Sequence, residues 1–549
     1  MSLLATVFTL CYNIFVKEEE MLRSFPPDPD DLIGRIAGKL KREDWLAFLS
    51  SFLIGLLTHA YMFTNKLLGR DELLCLFASN DMLQHGRWLL RFFSAVSSDF
   101  SLPWINGMIS LISISLTALF VCRILSIRRG WQIVLVSASL VTFPTVANTF
   151  SYMFVADAFF VSCLTAVIAV YVTERFRRGW ICSILLLTVS MAVYQGYICF
   201  AIPLYSLLYL RHLFDPNESD KQHLRVLFRY SLAVLGGILL YIFSTKMILA
   251  ATGVSLGAGQ NLDAMGKLKL SDIPLRVCDA VYYFLEFWVR TCKLQLGSFI
   301  RIVNLLMAVS TVSCLFISGI MRKQLSLFSR VLILMILLLT PVLYNTIRLM
   351  GASTIHWVML YSFSLIYVFW IVSVNLAADS VVSENNGFTL SVSRLNAFLA
   401  AVCLFVSSFS WSVNANKVYF AMQLYYENCY ALAERVVYDA EHTDGYYTNI
   451  PMAVEGAFNA GNYIPTKSGL FYSIGMQSAL QSANDYILIF DDAHFRIFAL
   501  NILGFCTSTP DPSHLKKVMK SEEYLSMPYY PLPGSVRVID GILLVKASD

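Results

Sequence analysis

Charge is what this 549-residue chain has least of. Only 14% of its residues are Asp, Glu, Lys or Arg, 57% are hydrophobic, and the mean hydropathy is +0.62. Soluble domains carry about a quarter charged residues, so the composition excludes a soluble enzyme and indicates a polytopic membrane protein. The net charge of +4 carries no nucleic-acid signal. The basic residues fall in short loops between apolar segments, without a basic stripe interleaved with base-stacking aromatics. No GxxxxGK[ST] or GxGxxG fingerprint stands beside a strand and helix, which argues against nucleotide-driven chemistry on the cytosolic side. None of the 12 cysteines forms a CxxC pair, so zinc and dithiol redox motifs are not expected. Most lie inside apolar segments (Cys122, Cys163, Cys182, Cys199, Cys314, Cys403). Cys429 and Cys506 fall in the last polar stretch and can pair if it faces an oxidising compartment. Residues 1–16 are apolar but lack the basic n-region and small-residue cleavage site of a secretory leader.

What is there is a series of about eleven apolar segments, each roughly long enough to span a bilayer. They lie near 44–65, 104–122, 131–148, 155–173, 180–194, 197–213, 229–251, 298–320, 329–346, 357–377 and 394–412. Every second loop is basic. Arg35, Lys39, Lys41 and Arg42 precede the first segment, Arg123, Arg128 and Arg129 follow the second, and Arg175, Arg177 and Arg178 follow the fourth. Arg211, Lys221 and Arg225 follow the sixth, and Arg322, Lys323 and Arg330 the eighth. By the positive-inside rule the N-terminal tail, residues 1–43, is cytoplasmic, and an odd number of spans leaves the C-terminal residues 413–549 outside. Met21 offers a second start, so residues 1–20 need not belong to the functional protein. The outside segments are then 66–103, 149–154, 195–196, 252–297, 347–356 and the tail.

The first outside loop holds the densest chemistry. Asp71 and Glu72 stand just past the first apolar segment, and His85, Gly86, Arg87 and Trp88 follow. The apolar residues around them (Leu73, Leu74, Leu76, Phe77, Leu89, Leu90, Phe92, Phe93) read as amphipathic helices lying along the membrane surface. A carboxylate is expensive in hydrocarbon and cheap at the interface, so both acids are expected at the water edge. One of them can serve as general base for an acceptor hydroxyl; the alternative is an acidic first turn favoured by the helix dipole. Arg87 offers a planar fork for phosphate oxygens, with Trp88 as interfacial anchor, against the alternative of an arginine snorkelling to headgroups.

Two further positions stand out. The loop from Asn345 to Trp357 is rich in donors and includes Arg348 and His356, which suit the developing charge of a phosphate leaving group; a helix C-terminal arginine is the plainer account. Asp157 follows Asn148 and Tyr152 at the outer start of the fourth segment, where an ionisable group calls for a partner. Arg87 or Arg91 is the expected one. Glu286 and Arg290, spaced i, i+4, read as a surface helix pair. In the tail, residues 415–438 carry a tyrosine-rich helix face (Tyr419, Tyr425, Tyr426, Tyr430) and Tyr486–Phe490 reads as a strand ending in Asp491 and Asp492. Val536–Ile539, Asp540-Gly541 and Ile542–Val545 read as a hairpin on a tight turn. The expected fold is therefore a polytopic α-helical membrane domain, 44–412, with a small C-terminal extracytoplasmic α/β domain, 413–549.

An outer loop that opens with Asp71-Glu72 and leads to Gly86-Arg87-Trp88, about eleven spans, an Arg348-bearing late outer loop and an outer tail resemble the bacterial serotype-converting membrane glucosyltransferases, of the GT-C glycosyltransferase class. The likeness covers residues 44–412 in layout, and the two short motifs carry its sequence-specific part. The resemblance implies a sugar, commonly glucose, moved from an undecaprenyl-phosphate carrier to a surface glycan outside the cytoplasmic (inner) membrane. It implies an inverting single displacement with Asp71 as base, Glu72 as its neighbour or substitute, and Arg348 holding the phosphate. His85, Arg87, Trp88, Asp157 and His356 complete the candidate binding set. No cofactor is required; a divalent metal can be accommodated by outer carboxylates, though no spacing demands one. The rival readings are a lipid or solute transporter of the cell envelope, for which no internal repeat is visible, and a membrane scaffold for glycan assembly.

Overall fold

The computed structural model describes residues 38, 40–77, 82–97, 100–256, 270–289, 297–321, 325–350, 355, 357–382, 387–458 and 491–547. In chain order the first helices are α1 (Arg42–Thr64), α2 (Arg70–Leu74), α3 (Leu90–Ser94), α4 (Pro103–Ile124), α5 (Gly130–Thr142) and α6 (Pro144–Phe150). Next come α7 (Met153–Arg175), α8 (Gly179–Val193), α9 (Ile198–Leu213), α10 (Asp220–Thr252) and α11 (Ile273–Val289). The series continues with α12 (Gly297–Met321), α13 (Leu327–Tyr344), α14 (Ser364–Val382) and α15 (Gly387–Glu441). The tail then adds β1 (Met452–Glu455), α16 (Asp492–Phe498), α17 (Pro512–Val518), α18 (Glu522–Leu525), β2 (Val536–Ile539) and β3 (Ile542–Lys546).

Each of the expected apolar segments is helical, and the chain is a polytopic helical membrane protein. Among the described residues eight helices are long and apolar enough to cross a membrane, or nine if α5 and α6 count as one bent span. Their 43° bend falls at Phe143-Pro144, where proline removes a backbone donor and crowds the preceding turn. The 15-residue α8 and 16-residue α9 fall short of the roughly 20 residues of a straight span. They meet at a single 3-10 turn, Gln195–Tyr197.

Small and polar side chains set how closely the first helices pack. A Cβ at Gly55 of α1 would lie 2.3 Å from Leu111 and 2.6 Å from Val141, so glycine is what lets α1 nest against α4 and α5. Four residues on, the buried His59 donates from Nε2 to the Val141 carbonyl (3.0 Å) and accepts at Nδ1 from the Tyr419 hydroxyl (2.7 Å). That neutral tautomer ties α1, α5 and α15 together without burying a charge.

The helix ends sort into two groups. At one end Asp44 pairs with Arg123 (2.6 Å), Arg211 donates to the Ile124 carbonyl (3.0 Å), and His212 contacts Glu174 (3.1 Å). These are the basic-loop ends of α1, α4, α7, α9 and α10. At the other end Lys66 reaches Ser101, Leu89 N donates to Ala192 O (3.0 Å), and Ser362 donates to Tyr344 O (2.8 Å). This second, loop-rich end gathers the segments that charge alternation assigns to the outside.

The tail begins without a break. Helix α15 runs 55 residues straight through position 412, where the sequence suggested a domain boundary. Beyond it β1, β3 and β2 form a sheet in that order, β1 parallel and β2 antiparallel to β3. The hairpin is as expected: Asp540 and Gly541 both take positive φ (49° and 75°), the geometry of a two-residue turn matched to strand twist. Central β3 buries Ile542, Leu543, Leu544 and Val545 in succession. Tyr486–Phe490 lies outside the described residues. The Cys429–Cys506 bond that the sequence allows is not formed: Cys429 is buried on α15 and Cys506 is an exposed free thiol.

Candidate functional site

The first outside loop folds into single turns, α2, the 3-10 turn Met82–His85, α3 and the 3-10 turn Ala95–Ser97, rather than long amphipathic helices. Leu67, Leu68, Leu73, Leu76 and Leu90 anchor it inward, while Leu74, Phe77, Phe92, Val96 and Phe100 remain exposed, as a surface resting on lipid requires.

Helix α2 separates its two acids. Successive residues of a helix point about 100° apart, and with Leu73 turned inward, Asp71 is exposed while Glu72 is 1% exposed. Both carboxylates are expected at the water edge; Asp71 is exposed, whereas Glu72 is buried, contrary to that expectation. Glu72 Oε1 accepts from Lys66 Nζ (2.7 Å) and from the Ser101 hydroxyl, and Oε2 accepts from the Phe154 backbone N–H (3.3 Å) in the first turn of α7. Lys66 also donates to the Ser101 carbonyl (2.9 Å). Burial of Glu72 is thus offset by a cation, a hydroxyl and a helix N-terminus. Its oxygens are occupied.

Asp157 sits one turn further along α7, 1% exposed. Among the described residues no arginine pairs with it: Ser97 Oγ donates to Oδ2 (2.5 Å), and Asn106 Nδ2 lies 3.5 Å from Oδ1 while donating to Met153 O (3.0 Å). Arg91 is exposed, and Arg87 is engaged elsewhere. Neutral donors satisfy this carboxyl because Ser97 and Asn106 lie against the start of α7.

Arg87 lies over aromatic rings, 4.9 Å from Tyr194 and 5.7 Å from Phe159 of α7. Its Nε donates to Gln195 Oε1 (3.3 Å) and Nη1 to Met82 Sδ (3.3 Å). Among the described residues no carboxylate pairs with it. Burial pulls its pKa down, opposed by the nearby phenols of Tyr194, Tyr241 and Tyr152, and it remains a cation. Gly86 makes this approach feasible: φ is +72°, and a Cβ would stand 2.7 Å from the Tyr241 oxygen. His85 contributes its carbonyl, which accepts from Gln195 Nε2 (2.7 Å); burial, then Arg87, hold the imidazole pKa below its ordinary value. Trp88 donates to Thr245 of α10 (3.2 Å), so its polar edge faces protein.

Arg348 forms a separate cluster at the same end, on the 3-10 turn Thr346–Met350 that caps α13. Its guanidinium stacks 3.6 Å over the Tyr283 ring of α11, and Arg276 donates to Leu349 O (3.2 Å). Burial lowers the Arg348 pKa; Tyr283, Asp279 and Glu286 oppose the shift. Cys199 Sγ, 3.9 Å from Met350 Sδ, links this turn to the start of α9. His356 and Arg290 lie outside the described residues.

The start of α7 is thus where Glu72, Asp157 and Arg87 converge, and helix α16 of the tail packs against α2 beside them. Sequence reasoning passed over Lys66, Ser97, Ser101, Asn106, Tyr194 and Gln195 as site residues. A glutamine and glycine between two apolar segments was the available signal for Gln195. Among the described residues no three His, Cys, Asp or Glu side chains cluster as metal ligands do.

No curated protein and no solved structure matches the chain. Residues 60–377, which contain both acids, Arg87, Asp157 and Arg348, match the model of the glucosyl transferase GtrII family. That is more than half of the chain, from the end of α1 to the end of α14, and the chain belongs to this glucosyl transferase family.

Proposed function

We propose that the protein transfers glucose from a polyprenyl-phosphate carrier to a cell-surface glycan, at the loop-rich end of the bundle. That end faces the outside of the cytoplasmic membrane, with the N-terminal tail in the cytosol, all eleven apolar helices crossing, and the 413–549 tail extracytoplasmic. Sugar nucleotides are cytosolic, whereas a lipid-linked donor reaches an outer site through the bilayer.

The observation that carries the mechanism is the division of labour within α2. Asp71 is exposed at the edge of the site, and Glu72 is consumed by Lys66, Ser101 and the α7 N-terminus. Asp71, the exposed acid of the pair, takes the proton of the acceptor hydroxyl as its oxygen attacks the anomeric carbon. The bond from that carbon to the phosphate oxygen breaks on the opposite face, so the configuration inverts, and the electron pair leaves with the lipid phosphate. Arg87 and Arg348 meet the growing negative charge. Glu72 fixes the pitch of α2 against α7.

Full-length protein in detergent with radiolabelled polyprenyl-phosphate glucose and a glycan acceptor tests this. Asp71→Asn should lower label transfer by about 1,000-fold in folded protein, within the usual reach of general-base catalysis. Glu72→Gln should lower the unfolding temperature. Activity retained in Asp71→Asn together with its loss in a stably folded Glu72→Gln moves the base by one residue. Activity in both removes the mechanism.

A further inference from the structure

Two arginines stand ready for one phosphate, and their surroundings differ. Arg348 already feels Asp279 and Glu286, while among the described residues Arg87 meets an amide, a thioether and two rings and no carboxylate. A half-buried cation without a carboxylate is costly unless an anion completes it. Beneath it the Tyr194 ring is locked, stacked on Phe159 at 4.1 Å and edge-on to Tyr197 at 5.3 Å. Its hydroxyl is buried and makes no hydrogen bond to any described residue. The penalty for such a group is substantial when nothing pairs with it.

Gln195 is oriented by chemistry alone. Arg87 can only donate, so the amide oxygen faces it; the His85 carbonyl can only accept, so the amide nitrogen faces His85, and also reaches the Tyr241 hydroxyl at 2.9 Å. Tyr241 closes the ring by donating to Gly86 O (3.1 Å). Residues 85–87 are thereby clamped to the α8–α9 turn, with the guanidinium carbon 4.9 Å from the centre of the Tyr194 ring.

We propose that the α8–α9 turn is the phosphate subsite for the lipid-linked donor, with Arg87 supplying charge, the Tyr194 hydroxyl donating to a phosphate oxygen, and Gln195 as the positioning residue that holds Arg87. This rests on the donor reading given above and decides which arginine the phosphate occupies. Because the Tyr194 hydroxyl bonds to none of the described residues, its removal separates a ligand role from a structural one.

The test is binding of radiolabelled undecaprenyl phosphate to full-length protein in detergent, with undecaprenol and inorganic phosphate as competitors, alongside thermal unfolding. The wild type should prefer the phosphate lipid to the alcohol. Tyr194→Phe should cut that preference by roughly tenfold to a hundredfold, the effect of one hydrogen bond to a charged group, without lowering the unfolding temperature. Gln195→Glu, which sets a carboxylate against Arg87, should abolish the preference, whereas a merely structural loss would weaken both lipids equally. Wild-type preference in both variants overturns the subsite and leaves the donor reading standing. A wild type that does not distinguish phosphate from alcohol overturns the donor reading and the subsite with it. Displacement by equimolar inorganic phosphate assigns the turn to a free anion and overturns the lipid.

Discussion

The two ends of the helix bundle treat charge in opposite ways. At the basic end Asp44 meets Arg123 at 2.6 Å, and His212 lies between Glu174 (3.1 Å) and Glu218 (2.6 Å). There Arg211 and Arg229 donate to the backbone carbonyls of Ile124 and Phe176, each at 3.0 Å. These contacts tie the ends of α1, α4, α7, α9 and α10 to one another. At the loop-rich end Arg87 has neutral partners and Asp157 has a hydroxyl and an amide. Arg348 Nε and the Tyr194 hydroxyl have no hydrogen-bond partner among the described residues; Arg229 Nε and Glu218 Oε2 at the basic end lack one too, but there Glu218 Oε2 faces the His223 ring at 3.7 Å. Glu72 with Lys66 is the ion pair that pins the loop itself. Charges that neutralise one another hold helices together; charges left with neutral neighbours keep their field for a ligand.

If that contrast is right, equal insults to the two ends should have unequal consequences. The largest is expected from Arg87→Gln, which should lower glucosyl transfer by about 100-fold, the scale of one charge-assisted contact to a phosphate, with little change in unfolding temperature. Asp44→Asn should do the reverse. It leaves Arg123 without its carboxylate and should reduce stability by about 2 kcal/mol, less than for a fully buried pair because Arg123 is partly exposed. Transfer per folded molecule should be unchanged. Thermal unfolding and label transfer measured on the same samples check both. A folded, inactive Asp44→Asn would break the contrast.

How much of this was legible beforehand follows from how local each cause is. The apolar segments and the Asp540-Gly541 hairpin are written in consecutive residues; the segments fold as helices, eight or nine of them of spanning length among the described residues, and the hairpin folds as read. The site was legible in its residue types and not in their environments. Asp71 and Glu72 are neighbours with the same charge, and their fates are set by Lys66, Ser101 and Phe154, which lie 6, 29 and 82 residues from Glu72. Gln195 gains its role from His85, Arg87 and Tyr241, contacts that exist only once α8, α9 and α10 have packed. The ion pair read for Asp157 is replaced for the same reason: Ser97 and Asn106, 60 and 51 residues away in sequence, meet its oxygens instead. Helix α16 reaching back to α2 across more than 400 residues has no local signature at all.

A smaller effect is expected at Gly86. Alanine there must adopt φ near +72° and place its Cβ against the Tyr241 oxygen, a strain of about 1–2 kcal/mol. Tyr241 is the residue that closes the clamp on Arg87, so the strain falls on the site. Gly86→Ala should lower transfer about tenfold if all of it appears in the barrier, and more in donor KM than in kcat. A variant that unfolds earlier but transfers normally would place the clamp among the structural contacts, with those of the basic end.

The smallest effect is expected from His85→Gln, because the site uses the His85 carbonyl and not its ring. Its pKa in the folded protein lies below the ordinary 6.5, through burial and then Arg87. The unfolded chain therefore takes up the proton first as the pH falls. The contribution of His85 to stability is complete above pH 6.5 and is lost as the pH drops from there through the folded value. Glutamine cannot titrate, so His85→Gln should flatten the decline in unfolding temperature between pH 7 and 5. Transfer at pH 7.5 should stay within about threefold of wild type, the range of substitutions that remove no partner. A hundredfold loss at pH 7.5 with the unfolding profile unchanged would make the imidazole itself a substrate contact. His85 would then join Arg87 and Tyr194 as a group whose side chain is reserved for the ligand.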